Sequence, residues 1–147
     1  MSRIEDAVDR LELRELVERY GMGADTRDRE MFGGAFLEDA VLRTAKGGTF
    51  DGRDAIVSTL DYLEAHYPRS MHFVGNHQVE LAGDSATGVV YCLAHHVYER
   101  DGEERDTLMV IRYRDEYART VDGWRIRRRA LAIDWQEDRP LTVGATR

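Results

Sequence analysis

Met71-His72-Phe73-Val74-Gly75-Asn76-His77-Gln78-Val79-Glu80-Leu81-Ala82, closed by Gly83-Asp84, is the stretch on which the fold turns. It follows the helix-breaking Pro68, and within it the hydrophobic period changes from helical to alternating. Three more alternating stretches follow, over residues 86–100, 105–118 and 124–137. Gly83-Asp84, Asp101-Gly102 and Asp122-Gly123 separate them, and such dipeptides reverse a chain between paired strands. Three successive hairpins predict an antiparallel meander.

Upstream the pattern is helical. Ile4, Ala7, Val8, Leu11, Leu13, Leu16, Val17 and Tyr20 recur every three to four residues, which predicts an amphipathic helix over 3–20. Gly21 and Gly23 are expected to loosen or end it. A short second helix is predicted over 28–37, with Asp25 or Asp28 as N-cap and Met31, Phe32 and Phe36 buried. Residues 41–44 read as a short strand closed by Lys46-Gly47-Gly48, and residues 55–66 as a third helix that Pro68 stops. Helices first and a meander afterwards define an α+β class, with the helices on one face of the sheet.

The chain of 147 residues fits one domain, 1–147, with a core over about 3–137 and a tail over 138–147. A net charge of −7 argues against nucleic acid or an anionic membrane as partner. Cys92 is the only cysteine, which excludes an intramolecular disulfide and a cysteine-built zinc site. No apolar run reaches membrane-spanning length, and the charged Met-Ser-Arg-Ile-Glu-Asp start has no signal-peptide core, so the expected location is the cytoplasm.

Four residues are candidates for chemistry. His72 lies at the mouth of the first long strand, on the face it is expected to share with Val74 and Asn76. It is either a histidine satisfied inside the sheet or a general base near neutral pH. Asp25 is either a helix N-cap or the carboxylate that orients such a base. Tyr20 lies five residues earlier, about 140° away around a regular helix, and is a core aromatic or an acid. Arg129 alternates onto one face with Leu131, Ile133 and Trp135, where a guanidinium wants an anionic partner or an anionic substrate. His95 and His96 are adjacent on a strand and point to opposite faces, so they do not ligate one ion readily. A two-histidine, one-carboxylate iron site drawn from His72, one of these and Asp25 is the metal alternative. Cys92 reads as a buried small hydrophobe. An outer face carrying Phe73, Val79, Leu81, Val89, Tyr91 and Leu93 needs cover, which predicts a homo-oligomer.

The order of these elements resembles the SnoaL-like branch of the nuclear-transport-factor-2-like superfamily. Tyr20 through Asp25, the short helix with Phe36, Phe50-Asp-Gly-Arg-Asp-Ala-Ile, the Met71-His72-Phe73 strand and the Asp122-Gly-Trp-Arg-Ile hairpin carry the likeness, over about residues 3–137. The resemblance implies a cone-shaped α+β barrel, its helices packed on a strongly curved mixed, mainly antiparallel sheet that encloses an apolar pocket. Within the branch the chain is similar to the scytalone dehydratase, bile-acid 7α-dehydratase and hexachlorocyclohexane dehydrochlorinase group. That likeness implies a His72–Asp25 dyad, a pocket tyrosine at Tyr20 and a pocket arginine at Arg129. It also implies a cofactor-independent lyase or isomerase without a metal, acting on a small apolar cyclic substrate such as a steroid or polyketide. A trimer or dimer is implied as well. Family members that bind ligands without chemistry, or that cyclise polyketides, supply the alternatives.

Overall fold

The computed structural model describes residues 2–142. Helix α1 runs Arg3–Thr26, straight past both glycines. A capping box starts it, with the Glu5 backbone N–H donating to Ser2 Oγ at 3.2 Å and the Ser2 N–H to Glu5 Oε2 at 2.7 Å. The glycines mark crossings rather than an end. A Cβ on Gly23 would lie 2.7 Å from the Phe32 backbone nitrogen, and one on Gly21 would touch His72 and Val74 at 3.4 Å.

Two apolar stripes compete on α1, and the sheet takes only one. Leu13, Leu16, Val17, Tyr20 and Ala24 are buried, whereas Ile4, Val8 and Leu11 are exposed. Inward along the first turns comes Asp9, which accepts from Arg119 at 2.6 and 2.8 Å and from the Trp124 indole at 2.9 Å. That buried carboxylate fixes which stripe faces in.

Helix α2 (Arg29–Gly33) is capped by Asp28, whose carboxylate accepts from the Met31 N–H at 2.9 Å. It stops at Gly33, so Phe36 and Leu37 belong to strand β1 (Phe36–Arg43) instead of the predicted second helix. Strand β2 (Thr49–Asp51) follows. The predicted third helix is two, α3 (Arg53–Val57) and α4 (Thr59–His66). At the break, the Ser58 and Thr59 hydroxyls donate to the Ala55 and Ile56 carbonyls at 2.5 and 2.6 Å, competing with the helix's own bonds.

The meander is β3 (Arg69–Ala82), β4 (Ser85–Arg100), β5 (Glu103–Thr120) and β6 (Gly123–Pro140). The six-stranded sheet has the order β2-β1-β6-β5-β4-β3, antiparallel throughout except where β1 runs parallel to β6. Its edge strands β2 and β3 do not meet, so the sheet curls around the helices without closing into a barrel. The core fills that curl, with Phe32, Phe36, Ile56 and Leu60 from the first half against Val90, Tyr113, Tyr117, Trp124 and Ile126.

Irregularities in register re-aim whole rows of side chains. One lies between Val74 and His77 in β3, so Val79 is buried and Leu81 packs on the core, against the expectation that both lie outside. Another carries β6 from Ile126 to Arg128 while β5 advances one residue, which turns Arg129 inward. A third, between Ile133 and Trp135, turns Trp135 out to 57% exposure, away from the face expected for Arg129. The exposed outer row is therefore Met71, Phe73, Tyr91, Leu93 and Trp135. No helix among the described residues is long and apolar enough to cross a membrane.

Candidate active site

Because α1 continues past Gly23, Asp25 sits in its last turn and not at a helix start. There it faces the beginning of β3. The His72 backbone N–H donates to Asp25 Oδ2 at 2.8 Å, and His72 Nδ1 lies 2.7 Å from Oδ1. A third donor, the Ser70 hydroxyl, reaches Oδ1 at 2.9 Å. Burial pushes the Asp25 carboxyl up, but the hydrogen bonds from the His72 ring and backbone outweigh it and hold the group below the usual carboxylate range. An ionised carboxylate only accepts, so Nδ1 carries the proton and Nε2 is the ring nitrogen not engaged by Asp25. The pair is shielded, with side-chain exposures of 7% for His72 and 18% for Asp25.

Tyr20 meets His72 edge to face, with ring centroids 6.4 Å apart. The angle that separates Tyr20 from Asp25 around the helix is spanned by the imidazole between them. Burial raises the Tyr20 phenol above its ordinary pKa, and the Arg129 charge pulls it partly back. Phe32, Phe36 and Tyr113 enclose the phenol, with centroids 4.9 to 5.9 Å away.

Arg129 is fully buried, and its anionic partner is a residue of the chain itself. Nε and Nη2 donate to Asp115 Oδ1 and Oδ2 at 2.8 and 2.6 Å, a bidentate pair. Its Cζ lies 4.3 Å from the Tyr20 ring centroid and 4.0 Å from that of Tyr113, so the guanidinium sits in the corner formed by two aromatic rings that meet edge to face. Behind it, Tyr117 donates to Asp115 Oδ2 at 2.6 Å, and His77 Nε2 lies 3.0 Å from the Tyr117 hydroxyl. Gly88 leaves room for this phenol, since a Cβ there would come within 3.2 Å of its oxygen.

The two adjacent histidines part as their strand dictates. His95 turns outward and pairs through Nδ1 with Asp106 at 2.6 Å. His96 turns inward, its ring 5.3 Å from that of His72 and 4.9 Å from that of Tyr67. Its Nδ1 is buried without a hydrogen-bond partner. The alternation Cys92, Ala94, His96 carried the signal for it, because Cys92 was already expected to face in. Cys92 is buried as expected, and burial pushes its thiol up to about 11. Among the described residues no three His, Cys, Asp or Glu side chains form a metal-holding group.

His77 and His96 are both held down to about 4, each mainly by burial. Between about pH 4 and 6.5 the unfolded chain therefore binds more protons than the native one. The stability these neutral histidines contribute is complete above about pH 6.5 and is lost as pH falls toward 4. For the more deeply buried His96 this is worth on the order of 3 kcal/mol across that window, and His77, partly screened by solvent, contributes less. Thermal unfolding at a series of pH values should show the midpoint falling through it, and His96→Phe should flatten the fall. An unchanged slope in His96→Phe would rule out His96 as a source.

Residues 5–130 match the SnoaL-like domain, and the chain belongs to that family. It is 32% identical over 131 residues to the uncharacterized protein Rv2910c of Mycobacterium tuberculosis, with 88% of each chain covered. A crystal structure of an NTF2-like protein with a cystatin-like fold from Novosphingobium aromaticivorans shares 31% identity and superposes with a TM-score of 0.77, covering 90% of this chain and 86% of that one. The hexachlorocyclohexane dehydrochlorinase LinA-type3 from Novosphingobium barchaimii LL02 shares the fold at 17% identity, with a TM-score of 0.83 over 96% and 95% of the two chains.

Proposed function

We propose that this protein is a general-base lyase or isomerase acting on a small, largely apolar cyclic substrate, such as a steroid or polyketide with an acidic C–H beside a carbonyl. The observation that carries the reading is the Asp25–His72 pair: a shielded imidazole whose Nδ1–H is taken by an ionised carboxylate. Nε2 removes the proton, and Asp25 stabilises the imidazolium that forms. The electron pair left on carbon then expels a leaving group from the neighbouring carbon, or moves through an enolate to a new position. Tyr20, beside His72, donates to the departing group or to the carbonyl. Arg129 acts through Tyr20, because its charge is already matched by Asp115 and its Cζ lies over the phenol ring. Elimination is also the reaction named for the dehydrochlorinase that shares the fold.

The test is incubation with a panel of cyclic β-hydroxy ketones in D₂O, followed for elimination product and for deuterium at the α-carbon. Either signal supports the reading. Ligands that bind with neither signal, in a protein whose His72→Ala variant binds them equally, assign the cone to binding alone.

The same reading includes self-association through the outer sheet face. Phe73, Leu93 and Trp135 stand exposed there, around a groove of about 300 Å³. Light scattering should give twice or three times the 16.9 kDa chain mass, and a Phe73→Asp/Leu93→Asp variant should give one. A stable wild-type monomer would contradict the assembly.

A further inference from the structure

Arg27 occupies a place where glycine is the usual choice. It ends α1 in the left-handed region at φ 56°, a conformation strained for any residue with a side chain. What holds it there is its own guanidinium. Nη2 donates to the Tyr67 carbonyl at 2.6 Å, and Nη1 donates to the Ala24 carbonyl and to Ser70 Oγ at 2.8 Å. The end of α1 is thereby tied to the turn that leads into β3, the two elements that carry Asp25 and His72.

The direction of these bonds matters more than their number. A guanidinium has donors and no acceptor, so toward Arg27 the Ser70 oxygen can only accept. Its one proton is then left for Asp25 Oδ1, 2.9 Å away. Asp25 in turn accepts from both Ser70 and His72. Donation runs one way, from Arg27 to Ser70 to Asp25, and meets the donation from His72 at the same carboxylate. While Asp25 is ionised, no other placement of the protons keeps every bond.

From this arrangement we infer that Arg27 and Ser70 are positioning residues of the Asp25–His72 pair, which lock the carboxylate as an acceptor and hold the imidazole in its Nδ1–H tautomer with Nε2 available as base. The inference rests on the general-base reading of His72 for its role in turnover, but its geometric content can be measured without a substrate.

The experiment follows the His72 Hδ1 proton by NMR in ¹⁵N-labelled protein, assigned by its loss in His72→Gln. Ser70→Ala removes the hydroxyl while leaving Arg27 its two backbone carbonyls, so the tie between α1 and β3 persists. Arg27→Gln removes the source of the one-way donation. In both variants exchange of Hδ1 with water should accelerate about tenfold or more, and kcat on any substrate turned over by the wild type should fall about tenfold with KM unchanged. Ser70→Thr, which keeps a hydroxyl, should restore both. Unchanged Hδ1 exchange in Ser70→Ala and Arg27→Gln would overturn the inference, even where His72→Ala and Asp25→Asn abolish turnover. Faster Hδ1 exchange together with full turnover in His72→Ala would instead sink the general-base reading and leave the positioning role standing.

Discussion

Replacing His72 by alanine should lower turnover of an elimination or isomerisation substrate by about 10²- to 10⁴-fold, the usual contribution of a positioned general base. Asp25→Asn should fall in the same range. An asparagine can offer Nδ1 the same acceptor oxygen, but it carries no charge to stabilise the imidazolium, and its amide can flip to present a donor. The two losses should not add, because the residues act as one unit. In Asp25→Asn/His72→Ala the rate should match that of His72→Ala alone. Additive losses, or full activity in both single variants, would remove the mechanism even if the protein proves catalytic. Circular dichroism and unfolding midpoints near wild type would show that the rate, and not the fold, was lost.

The largest stability effect is expected at the buried ion pair. Asp115→Asn keeps the shape of the side chain but leaves the fully buried Arg129 charge without its counter-charge, which typically costs 3–5 kcal/mol. Against a native stability of about 5–15 kcal/mol this is a large fraction, and for a domain of this size it lowers the thermal midpoint by roughly 10 °C. Removing both charges with Asp115→Leu/Arg129→Met should cost less than Asp115→Asn alone, because no charge is then stranded. Urea unfolding of the three proteins measures this directly. A cost below about 1 kcal/mol for Asp115→Asn would mean that Arg129 finds other compensation, and the double variant would then be the less stable of the two.

Legibility in the sequence followed period and failed at register. The meander was readable because its turns fall at Gly83-Asp84, Asp101-Gly102 and Asp122-Gly123 and its strands alternate; the observed strands differ from the expected ones by at most three residues at any end. The partner of Arg129 was not readable. Counting back from the β5–β6 turn without interruption sets Asp115 opposite Arg128, whereas the shifted ladder sets it opposite Arg129. A single extra residue in β6 hid a buried ion pair in plain sight. The irregularity in β3 hid Val79 in the same way and put it on the wrong face. Asp25 was readable as a partner for His72 but not in its setting, because glycine in a sequence signals a helix break, whereas Gly23 lets two backbones approach. Ser70 and Arg27 gave no signal at all, since a serine near a proline and an arginine before an aspartate are ordinary surface patterns.

Gly23 gathers these threads. An alanine at that point in α1 would favour the helix by roughly 1 kcal/mol in isolation. Its methyl would stand 2.7 Å from the nitrogen of Phe32, so α2 would have to lift away from the turn that carries Asp25. Local helix stability and the seating of the carboxylate therefore pull in opposite directions at one residue. A thermostabilisation campaign that fills helix glycines with better helix formers would gain helix propensity at position 23 only by unseating the carboxylate, and that is where its designer should stop.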